Sequence, residues 1–188
     1  MEIEAHKRRT LKWELAGIPF IFLAGSILHF VFEWTGCWRP VAVIAAVNES
    51  VWEHLKLSFW PGVMFAAFES AFVRRSVNNF WSGKAMGLLV MPIVIGVGFY
   101  GYTAVLGDNY LTADIVLFLV AVVVGQLASY RIMVARRARR WMQVCAAAAL
   151  ATMIVIFSLA SYVPPRVFLF EDSASQGYGI PEGCDADR

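Results

Sequence analysis

An all-α integral membrane helical bundle is the fold class this sequence predicts, and three observations carry it. Hydrophobic residues make up 59% of the 188-residue chain and charged residues only 16%, with a mean hydropathy of +0.61, a balance foreign to a water-soluble domain. The apolar residues gather in blocks of about 20, the length a helix needs to cross the hydrocarbon core. They lack the short alternating segments of a membrane barrel, and backbone groups without partners in lipid leave the helix as the remaining solution. Basic residues, finally, alternate between connections in the way that orders spans across a bilayer.

Five spans are read in order, over residues 15–34, 49–73, 84–106, 111–134 and 141–163. The first follows Lys7, Arg8 and Arg9 without a small-residue cleavage site, so it is expected to remain as a span and not to act as a cleaved signal. Residues 41–47 are apolar but too short to cross and read as a re-entrant or interfacial helix. The second span opens with Asn48 as a good N-cap and with Ser50-x-x-Glu53 as a capping box. In the third, Gly83, Gly87, Gly96, Gly98 and Gly101 are expected to permit close helix packing. Asp108 and Asn109 read as caps for the fourth. Pro19, Pro61 and Pro92 fall inside spans, where kinks are expected. Trp34, Trp38, Tyr110, Trp141 and Tyr162 suit interfacial anchors. Residues 1–163 thus form one transmembrane domain, and from Pro164-Pro165 onward residues 164–188 form an extracytoplasmic tail.

Charge fixes the orientation. Of the 16 basic residues, only Arg39, Lys56, Arg166 and Arg188 fall on the side opposite the N-terminus, with Arg74, Arg75, Lys84 and the arginines at 131 and 136–140 on the N-terminal side. The positive-inside rule puts the N-terminus in the cytoplasm and, after five spans, the C-terminus outside a multi-pass plasma-membrane protein. The Arg136 to Arg140 run acts as a topology determinant beside anionic lipid, so membrane lipid is an expected partner and nucleic acid is not. Three cysteines form no C-x-x-C motif; Cys37 and Cys184 both fall outside, and a disulfide between them is left open.

With topology fixed, ionisable residues can be placed by depth. His29 and Glu33 share a face near the outer end of the first span. At the start of the second, Glu49 and Glu53 share one face and Ser50 and His54 another, about 100° away. His29 and His54 each lie about 8 Å inside their helix ends. Asp114, Tyr100 and Tyr102 fall in the same outer layer, whereas the inner halves of the spans look nearly free of such groups, Glu69 and Gln126 being the main exceptions. Burying this many ionisable groups is costly unless they pair, neutralise or bind a cation. Two imidazoles among carboxylates suit a zinc-like divalent ion held by His29, Glu33, His54 and Glu53, with Glu53, Glu49 and Asp114 available as acid/base groups.

Such a centre could activate water against a lipid or a lipid-linked phosphate or acyl group. Two other classes stay open: a proton- or cation-coupled transporter or channel, against which the scarcity of inner polar residues counts, and a non-enzymatic subunit whose polar cluster only pairs helices. Capping accounts as well for Glu49 as a site role does, and no H-E-x-x-H or Glu-x-x-His motif is present.

The stretch His29-Phe30-Val31-Phe32-Glu33-Trp34, with Val47-Asn48-Glu49-Ser50-Val51-Trp52-Glu53-His54-Leu55-Lys56 and Trp60-Pro61, resembles the hallmark of an uncharacterised family of small bacterial and archaeal multi-spanning membrane proteins, a domain of unknown function. Residues 170–180, ending in Tyr178-Gly179-Ile180, are similar to that family's C-terminal segment. The likeness is closest over residues 29–61. It implies that the polar residues named above belong to the family's hallmark, and it implies no activity, substrate or cofactor.

Overall fold

The computed structural model describes residues 2–181. Within them run five α-helices, α1 (Glu2–Trp34), α2 (Val51–Val73), α3 (Phe80–Leu106), α4 (Leu111–Val134) and α5 (Arg140–Leu159), with 3-10 turns at Arg39–Val43, Arg74–Ser76 and Phe168–Phe170. The described residues form no strand beyond an isolated bridge between Glu171 and Tyr178. The fold is all-α, as expected.

Four helices, α1, α3, α4 and α5, are long and apolar enough to cross a membrane. At 23 residues α2 has the length, but it carries Glu53, Lys56 and Glu69, all of them buried. It is the polar axis of an inside-out bundle. Val105, Leu111 and Val97 are 83%, 75% and 71% exposed, while Glu14, Lys56 and Glu69 are 0% exposed. That distribution suits a hydrocarbon solvent, which accepts apolar side chains and drives charges inward to pair.

Successive helices run antiparallel, because the end of each meets the start of the next: His29 reaches His54, and Tyr102 reaches Asp114. One face of the bundle therefore holds the α1–α2 and α3–α4 connections and the C-terminal segment. The N-terminal face holds the other two connections, where Asn79 donates to the carbonyls of Ile132 and Arg136 and accepts from the Ala138 N–H.

Local chemistry moves several boundaries. The first helix starts well before residue 15, since nothing in the polar N-terminal segment interrupts it. Ser50, in extended backbone, caps α2 by accepting from the Glu53 N–H at 3.4 Å, so the N-cap is not Asn48, whose side chain instead accepts from the Ser50 N–H at 2.9 Å. Asp108 and Asn109 do not cap α4: its N-cap is Tyr110, without a side-chain cap bond, and the Asp108 carboxylate accepts from the adjacent Asn109 N–H. The stretch 41–47 is no membrane helix but the end of a 3-10 turn followed by a buried irregular run that includes Ala45, Ala46 and Val47. Lys84, expected in a connection, lies buried inside α3.

Helices α3 and α4 touch backbone to backbone. A Cβ added at Gly87 would sit 2.8 Å from the Gly125 carbonyl oxygen, and one at Gly83 2.8 Å from that of Ser129. Gly96 and Gly101 face open space, so only part of the glycine set serves the packing predicted for it.

Candidate metal centre

The end of α1 and the start of α2 bring His29, Glu49 and His54 together. Glu49 lies one residue before the Ser50 cap and is thus outside the helix, which frees it to fold back over His54 and not to share a face with Glu53. Its two carboxylate oxygens divide between the rings, Oε1 at 3.7 Å from His29 Nε2 and Oε2 at 3.5 Å from His54 Nε2. The imidazole centroids are 5.2 Å apart, and one ligand atom from each of the three residues lies within 4.8 Å of the others.

These separations are too long for ordinary hydrogen bonds, which close at about 2.7–3.2 Å. They match the spacing between neighbouring ligand atoms that each stand about 2.0–2.2 Å from a shared ion. The His54 ring is oriented for ligation. Its Nδ1 lies 2.8 Å from the Ser50 carbonyl oxygen, which only accepts, so Nδ1 donates there and Nε2 is the ring nitrogen that faces Glu49. His29 Nδ1 is buried without a hydrogen-bond partner. Both imidazoles and Glu49 border a cavity of about 630 Å³ whose walls include Phe22, Ile95, Phe99 and Phe118.

Asp114 stands on another wall of the cavity and accepts a hydrogen bond from the Tyr102 hydroxyl, which also accepts from the Tyr110 N–H at 3.3 Å. Glu33 is exposed, and its charge acts on His29, but it is not part of the three-residue cluster. Glu53 is turned away from the imidazoles and buried. It pairs with Lys56 Nζ at 2.7 Å, accepts from the Ser161 hydroxyl at 2.6 Å and from the Val47 N–H at 3.2 Å.

The C-terminal segment is not a detached tail. Phe170 stacks on Trp52 at 4.5 Å, Asn48 donates to the Gly179 carbonyl at 2.8 Å, and Asp172 accepts from the Glu49 N–H at 3.1 Å. Phe168, Glu171, Asp172 and Ser173 thereby become cavity wall. The Asp172 carboxyl feels burial, which would raise its pKa. Hydrogen bonds from the Ser175 hydroxyl and the Ala174, Glu49 and Ser175 N–H groups outweigh this and hold it below the usual value. Cys37 is disulfide-bonded, and the suggested pairing with Cys184 falls outside the described residues.

Sequence reasoning missed a second polar group nearer the N-terminal face. Lys84 on α3 contacts Glu14 on α1 at 2.8 Å and also Glu69 on α2, while Ser129 and Gln126 of α4 donate to the Glu14 carboxylate and carbonyl. The half of the bundle toward the N-terminal face therefore holds more charge than depth counting allowed, which excepted mainly Glu69 and Gln126. The signal was present: a lysine at the head of one apolar block, a glutamate within another and a glutamate directly before a third are each costly in lipid, and so call for one another.

A search of curated proteins and one of solved structures found no match. A family model does match residues 1–180, close to the whole chain, and includes both polar groups and the docked C-terminal segment. The chain belongs to that family, described as a family of unknown function, DUF6512.

Proposed function

We propose that His29, Glu49 and His54 hold a zinc-like divalent cation at the extracytoplasmic membrane face, and that the protein is a metal-dependent hydrolase or transferase acting on a lipid or lipid-linked substrate. The observation that carries this reading is the convergence of three ligand atoms within 4.8 Å at the edge of a cavity with largely aromatic and aliphatic walls. An apolar cavity suits acyl or isoprenoid chains, and the polar groups at its border suit a headgroup phosphate or ester. The topology assumed is five spans in the plasma membrane, the N-terminus inside and the C-terminal segment outside. The buried charges of α2 are paired and so tolerable in a fifth span. The disulfide at Cys37 fits an oxidising compartment on that side.

In this reading the Ser50 carbonyl fixes the His54 ring, and Asp114, steadied by Tyr102, is the acid/base group facing the substrate space. The bound metal supplies Lewis-acid polarisation and a more acidic water. Glu53, committed to Lys56 and Ser161, braces α2 and neither binds the metal nor moves protons. The test is elemental analysis of protein purified without chelator, with His54→Ala alongside. Stoichiometric metal lost in the variant supports the reading, and a folded wild type that never takes up zinc refutes it.

A second reading, a proton- or cation-coupled transporter, draws support from the Glu14, Lys84 and Glu69 group, which supplies the inner-half polarity such a protein requires.

A further inference from the structure

Independently of the metal centre, the group around Lys84 poses a question of charge. Lys84, Glu14 and Glu69 are 3%, 1% and 0% exposed at their side chains and come from three different helices. One ammonium faces two carboxyls. The groups packed around them from α4 are Ser129 and Gln126, which carry no charge, and the rings of Phe65 and Phe80 lie 5.6 and 5.8 Å from Lys84 Nζ. With both glutamates ionised the group would hold a net negative charge in a low-dielectric interior, the costliest of its states. Three carboxylate oxygens, Glu14 Oε2 and both of Glu69, are buried there without hydrogen-bond partners. Of these, Glu69 Oε2 touches the Lys84 ammonium, which leaves Glu14 Oε2 and Glu69 Oε1 as the open positions.

An opening on the N-terminal side leads toward the group. A hollow of about 320 Å³ is lined by His6, Lys7, Thr10, Ser76, Asn78 and Met133, among others. Thr10 stands one turn before Glu14 on α1 and Met133 one turn after Ser129 on α4, so the hollow ends about 6 Å along each helix from the charged group.

We propose that Glu14 and Glu69 together bind one exchangeable proton beside Lys84, taken from and returned to the solvent of the N-terminal face through this hollow. Uptake protonates one carboxylate oxygen and brings the group to neutrality; release restores the second carboxylate and returns the proton to water. A proton needs a single lone pair, whereas a metal cation in this place would need several oxygen ligands and would find two open ones.

Infrared difference spectroscopy of the full chain in lipid nanodiscs tests this. Wild type at neutral pH is expected to show a protonated-carboxyl C=O band that shifts in heavy water. Glu14→Gln and Glu69→Gln should each abolish the band, because the remaining carboxylate then pairs with Lys84 and stays ionised. Lys84→Met should keep both glutamates protonated and raise the band about twofold. Asn78→Trp, at the hollow, should leave the band and slow its deuterium shift; an unchanged rate would overturn the proposed route. The proposal fails if wild type shows no such band, if the band survives both single glutamine variants, or if it appears only when sodium is replaced by choline, which would assign the place to sodium. Should a variant not fold, as judged by circular dichroism and gel filtration, the wild-type band and its sodium dependence still decide the matter.

Discussion

Lys56 and Glu53, one turn apart on α2, form a buried ion pair of 2.7 Å, and Lys56 Nζ also donates to the Ala42 carbonyl at 2.6 Å and the Ser161 hydroxyl at 2.8 Å. The α1–α2 connection, α2 and the turn that follows α5 are joined at this one ammonium. Removing it leaves a carboxylate buried and unpaired. Lys56→Met is expected to lower the unfolding free energy by about 3–5 kcal/mol, and Lys56→Met combined with Glu53→Gln to recover part of that loss. Denaturant unfolding in detergent, followed by circular dichroism, checks both; equal losses in the single and double variants would contradict the pairing.

At the metal centre the division of labour among the acids is testable. His29→Ala and His54→Ala are each expected to weaken zinc binding at least about tenfold, since each removes one of three ligands. Glu53→Gln should leave it unchanged, because that carboxylate is held by Lys56 and Ser161. Equilibrium dialysis with zinc reads all three. Zinc affinity that followed Glu53 and ignored His54 would invert the assignment.

Docking of the C-terminal segment should depend on acid in one direction. The Asp172 carboxyl has a folded pKa below its ordinary 3.8, so its contribution is full above that value and is lost as the pH falls through the lower, folded one. Limited proteolysis with an acid-active protease is expected to find residues 168–180 resistant at pH 5 and cut increasingly below about pH 4. Asp172→Asn should raise cleavage at pH 5 and flatten the pH dependence.

Two glycines on one helix should behave differently. Gly87→Val is expected to cost about 1–3 kcal/mol by forcing α3 from α4, since a Cβ there meets the Gly125 carbonyl at 2.8 Å. Gly96→Ala, with nothing within 4 Å, should not destabilise. Thermal unfolding of the two variants side by side provides the comparison.

How much of this was legible in the residues follows from what each signal measures. Block hydropathy found α4 to its ends and the other helices to within a few turns, because lipid imposes length on apolar runs. Depth counting brought His29 and His54 to one layer, and the structure adds that Glu49 is the acid between them. It erred on Glu49 and Glu53 by assuming a helix through both: the Ser50 cap breaks the periodicity on which face assignments rest. Counting Lys84 as a loop cation hid its pairing with Glu14, 70 residues away in sequence, a distance at which no local pattern informs. The role of residues 168–180 was invisible for the same reason, because a polar, proline-led segment reads alike whether it docks or floats.

Because Phe168, Glu171, Asp172 and Ser173 complete a cavity whose other walls come from α1 to α4, that cavity has a temporal order built into its assembly. A ribosome delivers these residues after every helix. The half-built pocket must persist as an open groove through synthesis and insertion, and becomes competent only when the last segment folds back over Trp52. Premature termination between the end of α5 and Phe168 would therefore yield a chain that inserts normally yet lacks a finished chamber, so correct membrane insertion alone is no measure of a working molecule.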